Sequence, residues 1–148
     1  MDNNYIFQYW EAIQNGTVTV GKWIKTIYEI LVNGLKSGKW DFDEEKANKA
    51  INFIENFCHH SEGRNDLLKL ELWQKAIVSA IFGIMDKRTG YRQFREVFIV
   101  VARKNGKTLF AAAIAAYMAY IDGEYGAKVY FLAPKLDQAD LVYDAFYQ

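Results

Sequence analysis

The sequence predicts an α/β protein, with a helical lead-in followed by a β-α-β-α segment that begins a parallel sheet. Three observations carry that prediction. One proline and ten glycines punctuate 148 residues, which favours long uninterrupted helices. Apolar residues recur at three- and four-residue spacing through the first half of the chain. Two continuous apolar runs, 97–101 and 129–133, stand on either side of an alanine-rich stretch. Helices first and βα alternation afterwards is the order expected of an α/β core with a helical prefix.

Taken in order, Ile6, Tyr9, Trp10 and Ile13 share one helical face, and Asn15-Gly16 supplies a stop. Val20, Trp23, Ile24, Ile27, Ile30, Leu31 and Leu35 form the apolar stripe of a second helix that fades at Ser37-Gly38. Asp41 with Glu44 resembles a capping box, and Ala47, Ile51, Ile54 and Phe57 continue as a third stripe. The polar, glycine-containing stretch 61–66 reads as a loop. Leu72, Ala76, Ile77, Ala80, Ile81 and Ile84 mark a fourth helix, ending near Asp86.

The pattern then changes. Val97-Phe98-Ile99-Val100-Val101 is a β-branched and aromatic run of the kind found in strands buried on both faces. A short polar loop leads into a helix from Lys107 to Tyr120. Residues 128–133 read as a second buried strand, closed by Pro134, and residues 137–146 as a last helix capped by Asp137. Residues 1–66 are the expected lead-in and 67–148 the expected start of the core.

Composition narrows the class. With 51% hydrophobic and 16% aromatic residues, a disordered chain is excluded. Eighteen basic residues balance eighteen acidic ones, which argues against a uniformly basic nucleic-acid coat and permits a local basic patch. The apolar run from Leu109 to Ile121 falls short of the roughly 20 residues that cross a bilayer. The opening MDNNYIFQYW lacks a signal-peptide layout, and a lone Cys58 forms no internal disulfide. The expectation is a soluble, intracellular protein.

Chemistry concentrates at the strand-to-helix junction, Val101-Ala102-Arg103-Lys104-Asn105-Gly106-Lys107-Thr108. Its second half is the Gly-Lys-Thr of a phosphate-binding P-loop. Gly106 allows the sharp turn and close backbone approach, and Lys107 brings a point charge to the β and γ phosphates. Thr108 offers a hydroxyl to Mg²⁺ where a helix N-terminus favours anions. By average residue usage the tripeptide alone turns up in roughly one chain of this length in fifteen. Its place between an apolar run and an alanine-rich helix therefore carries the weight. Val101 occupies the position of the motif's first glycine. With this loop, the predicted sheet is that of a P-loop NTPase.

The loop ARKNGKT, residues 102–108, resembles the departed Walker A of the large terminase subunits of tailed double-stranded-DNA bacteriophages. Those loops also lack the first glycine and carry an arginine after the strand. Leu70-Glu71-Leu72-Trp73-Gln74 is similar to the family's segment ahead of the ATPase core, whose glutamine contacts adenine; Leu72 stands where proline is common. VYFLAPKLDQA, residues 129–139, resembles the second core strand and its continuation. Tyr9 to Lys25 and Phe53 to Gly63 are similar to the family's helical lead-in.

The resemblance implies an ATP-driven motor that packages double-stranded DNA, with a C-terminal metal-dependent nuclease, working in the bacterial host cytoplasm with a small terminase subunit and a portal protein. ATP and Mg²⁺ would be its cofactors, and a homo-oligomer is compatible with it. It implies contacts from Gln74, Arg103, Lys104, Asn105, Gly106, Lys107 and Thr108, with Arg103 as a catalytic arginine finger and Thr108 toward Mg²⁺. No Walker B strand, catalytic glutamate or nuclease cluster is found in these residues, so the chain reads as an N-terminal portion that does not hydrolyse ATP at a meaningful rate alone. The alternatives are a portion of another P-loop DNA translocase or helicase, and a non-enzymatic helical interaction module.

Two other features are weaker. Residues 86–107 hold seven basic and two acidic residues, a local excess open to phosphate contact or to plain solvation. Cys58-His59-His60 places adjacent ligand types that do not converge easily on a metal.

Overall fold

The computed structural model describes residues 4–60 and 66–147. It is mostly helical, with one small antiparallel sheet. The helices are α1 (Tyr5–Gln14), α2 (Lys22–Lys36), α3 (Glu44–Phe57), α4 (Leu72–Gly83), α5 (Lys107–Tyr120) and α6 (Leu136–Tyr147). The strands are β1 (Asp41–Phe42) and β2 (Ile84–Met85), paired Asp41 to Met85 and Phe42 to Ile84. The chain divides into two compact units, residues 1–51 with 70–97 and residues 52–69 with 98–148.

In the first unit, local signals set the helix ends. Asn4 caps α1 by accepting from the Ile6 amide at 2.9 Å, and Gly16 leaves the helix at φ 77°. The expected stop at Ser37-Gly38 holds for α2, with Ser37 as C-cap and Gly38 at φ 70°. The core gathers Ile6, Tyr9, Tyr28, Leu31, Val32, Ala76 and Ile84 from α1, α2, α4 and β2. The Tyr9 and Tyr28 rings meet edge to face at 4.7 Å. Burial pushes the Tyr28 phenol up, with Tyr9 adding to the shift.

The structure corrects three details here. Leu31 of the expected α2 stripe is buried and Leu35 packs on the core, but Trp23, Ile24, Ile27 and Ile30 are exposed, and Tyr28, Val32 and Gly34 face inward instead. Periodicity identifies a helix, and packing against its neighbours chooses the side. The cap of α3 is Asp43, whose Oδ1 accepts from the Lys46 amide at 3.0 Å, because Asp41 is committed to β1. α4 ends at Gly83 rather than near Asp86. The next residues turn extended to pair with β1 and fold into a hairpin, in which the Gln93 amide donates to the Ile84 carbonyl at 2.9 Å.

Two glycines in this unit are required by close approach. A Cβ on Gly83 would lie 2.5 Å from Phe42 Cε2 and 3.0 Å from Ala47 Cβ. Gly34 has the Trp40 ring pressed on it in the same way.

In the second unit, α5 packs on α6. Phe110, Ala112, Ala113, Ala115 and Tyr117 of α5 are buried. Phe146 stacks on Tyr120 at 5.9 Å and meets Phe131 edge to face at 5.8 Å. α6 begins at Leu136, so Asp137 lies in its first turn rather than capping it. The polar stretch expected as a loop lies, for residues 61–65, outside the described residues. On either side of it the Leu68 amide donates to the Cys58 carbonyl at 2.8 Å.

The largest departure concerns the strands. Runs 97–101 and 128–133 are not strands of any sheet among the described residues. Phe98 and Leu132 are each 93% exposed, with Val100 at 80% and Tyr130 at 76%. The hydrogen bonds of a β-ladder run between neighbouring strands. These runs have no such partner among the described residues, so their composition alone does not make a ladder.

Candidate functional site

Residues 102–108 form an exposed turn that ends in the first turn of α5. Its backbone is unusual in one respect. Lys104 has φ 67°, the single non-glycine residue with positive φ among those described, and Gly106 has φ 65°. Asn105 between them has a negative φ. Backbone anion sites use turns in which residues of opposite handedness alternate. Gly106 meets the requirement without cost, and nothing lies within 4 Å of where its Cβ would stand. For Lys104 the left-handed conformation is strained.

Gly106 is also the N-cap of α5, and no side chain caps the helix there. The first intrahelical bond runs from the Phe110 amide to the Gly106 carbonyl at 2.9 Å, so the amides of Lys107, Thr108 and Leu109 precede the helical ladder. The side chains of Arg103, Lys104 and Lys107 extend from an exposed segment, and none forms an ion pair among the described residues. Positive side chains, unspent amides and the positive end of the helix dipole thus share one short loop. Asn105 Nδ2 donates back to the carbonyls of Ala102, at 3.2 Å, and Arg103, at 3.4 Å.

Of the sequence-predicted site residues, Arg103, Lys104, Asn105, Gly106, Lys107 and Thr108 are together on this loop. Residues 72–148, which include it, match the family model described as terminase large subunit, ATPase domain. The chain belongs to the terminase large subunit ATPase family. No curated protein and no solved structure matches it. That family is one of DNA-packaging motor proteins. No helix among the described residues is long and apolar enough to cross a membrane.

Gln74 sits on α4, in the first compact unit. It is buried, and its Oε1 accepts from the Glu71 amide at 2.9 Å, as the third helical residue does in a capping box. Its carbonyl is therefore occupied by the chain's own backbone. The sequence signal for this bond is the Glu71-to-Gln74 spacing, a capping spacing with glutamate in place of the commoner serine or threonine.

The basic residues of 86–95 are largely spoken for. Lys87 pairs with Asp41 at 3.5 Å and Arg88 with Asp86 at 3.7 Å. Arg92 lies over the Phe82 ring at 5.4 Å. Asp86 organises the hairpin turn by accepting from the amides of Arg88 at 2.8 Å and Thr89 at 3.0 Å. Those backbone bonds hold its carboxyl below the ordinary range. At Cys58, burial pushes the thiol up, toward its neutral form.

Proposed function

We propose that this chain binds the phosphates of ATP through residues 102–108 and serves as the N-terminal portion of the ATPase of a phage DNA-packaging motor. The single observation behind the reading is the paired left-handed turn at Lys104 and Gly106, opening directly onto an uncapped helix N-terminus that carries Lys107 and Thr108. The donor set suits a triphosphate: amides of the loop and the Lys107 ammonium for the oxygens, and the Thr108 hydroxyl for Mg²⁺. The bound Mg²⁺ would supply charge neutralisation at the phosphates.

Within this reading Arg103, Lys104, Asn105 and Gly106 complete the loop. Arg103 acts as the arginine finger, where charge develops on the transferred phosphoryl group. Residues 1–66 form the lead-in, and residues 67–148 begin the ATPase core. Double-stranded DNA, a small terminase subunit and a portal protein are the partners, in the cytoplasm of a bacterial host.

Titration of a fluorescent ATP analogue in Mg²⁺, against wild type and Lys107→Ala, tests the reading. Loss of one charge-assisted contact is expected to weaken binding by at least about tenfold. Equal affinity of the two proteins sinks the assignment of this loop. In a chain competent for turnover, Arg103→Ala is expected to lower kcat far more than affinity.

A further inference from the structure

We propose that Asn105 is a positioning residue of the loop: its side-chain amide, tied to the carbonyls of Ala102 and Arg103, holds Lys104 in the left-handed conformation that turns the loop amides toward the phosphates. The proposal rests on the phosphate-binding reading of residues 102–108 and goes beyond it by giving Asn105 a role that involves no contact with the nucleotide.

Three observations on the loop lead to this. Lys104 has φ 67°, a conformation that a residue with a Cβ adopts only when something holds it there. The next residue supplies a holding interaction, because Asn105 Nδ2 reaches both preceding carbonyls, at 3.2 and 3.4 Å. Both bonds engage carbonyl oxygens on the N-terminal side of Lys104, and those oxygens would repel a phosphate if they swung inward. An anion site built from backbone needs N–H groups in and C=O groups out. A side-chain amide is suited to this, since its NH₂ carries two donors, whereas a carboxylate has none.

The dependence is specific and has a signature. If Asn105 works by holding Lys104 left-handed, its removal matters only while residue 104 resists that conformation. Glycine adopts it freely. The effect of Asn105→Ala should therefore collapse in a Lys104→Gly background, whatever Lys104→Gly does by itself. A direct Asn105–nucleotide contact predicts the same loss in both backgrounds, and so does a merely local loss of order.

The experiment is a double-mutant cycle on the 148-residue chain, read by Mg²⁺-dependent titration of a fluorescent ATP analogue, with Lys107→Ala as the control for the loop itself. Asn105→Ala is expected to weaken binding about tenfold when Lys104 is present and less than about twofold in the Lys104→Gly background. Wild-type affinity in Asn105→Ala, or an equal loss in both backgrounds, overturns the proposal. If wild type and Lys107→Ala bind alike, the phosphate-binding reading has failed, and the role of Asn105 is decided without ligand. The Lys104 amide-to-Hα coupling and Cα shift by NMR should then leave left-handed values in Asn105→Ala. Unchanged values overturn the positioning role on their own.

Discussion

The two compact units are both rich in apolar residues and differ in how their apolar surface is used. In residues 1–51 and 70–97, four elements close on a core in which Ile6, Val32, Val78, Phe82 and Ile84 are almost fully buried. In residues 52–69 and 98–148, α6 buries none of its described residues, and the apolar runs before α5 and before α6 stand largely open. The first unit is made chiefly of helices and a hairpin, which satisfy their backbone close to home. The runs of the second unit have strand composition, and a strand needs a neighbour supplied from elsewhere. Apolar content alone is not a core; the backbone must first have somewhere to bond.

The largest expected effect breaks this contrast directly. Phe82 is 2% exposed and Phe98 is 93% exposed. Phe82→Ala should cost about 3–5 kcal/mol in urea or thermal unfolding, and Phe98→Ala no more than about 0.5 kcal/mol. Comparable losses would mean that the 97–101 run is buried in solution.

Close packing in the first unit provides the next test. Gly83→Ala inserts a methyl group 2.5 Å from Phe42 Cε2, so a loss of about 1–3 kcal/mol is expected on unfolding. The same substitution at Gly123 meets nothing within 4 Å but has to adopt φ 95°, so any cost there is backbone strain alone. A neutral Gly83→Ala would show that Phe42 yields readily and that the β1–α4 contact is loose.

Helix caps sharpen the local half of the comparison. Asn4→Ala removes the acceptor for the Ile6 amide and should lower stability by about 1 kcal/mol, with faster amide exchange confined to the first turn of α1. Loss spread over the whole unit would mean that Asn4 does more than cap.

The smallest effect concerns the hairpin turn. The Asp86 carboxyl is held below its ordinary value by the Arg88 and Thr89 amides. A group lowered in the folded state stabilises above its unfolded value and loses that contribution as pH falls through the folded one. NMR titration should therefore place the Asp86 midpoint below an ordinary aspartate. Amide protection at Arg88 and Thr89 should fall with it, and Asp86→Asn should remove that pH dependence. An ordinary midpoint would contradict the turn geometry.

Much of the fold is legible in sequence because it depends on near neighbours. The bounds of α5, Lys107–Tyr120, follow from a glycine stop ahead of an alanine-rich stretch. The ends of α1 and α2 follow from Asn15-Gly16 and Ser37-Gly38. The loop is legible as Arg-Lys-Asn-Gly-Lys-Thr, because glycine, lysine and threonine each have a local chemical reason to stand there. Sequence does not separate Asp43 from Asp41 as the cap of α3, because both are capping residues, and only pairing with β2 removes Asp41 from the competition.

By itself the sequence determined what short-range chemistry determines: where helices start and stop, and which residues make an anion-binding turn. Tertiary structure alone decided which side of α2 is buried, leaving Trp23 and Ile27 exposed while Tyr28 and Val32 pack inward. It decided that α4 stops at Gly83, because β1 arrives to pair with Ile84 and Met85. It also revealed the left-handed Lys104 and the Asn105 bonds beside it, which the residue names do not announce. The physical reason is the range of the forces involved. Helical hydrogen bonds close within four residues, whereas burial, strand pairing and the orientation of a strained turn depend on groups brought close only by the fold.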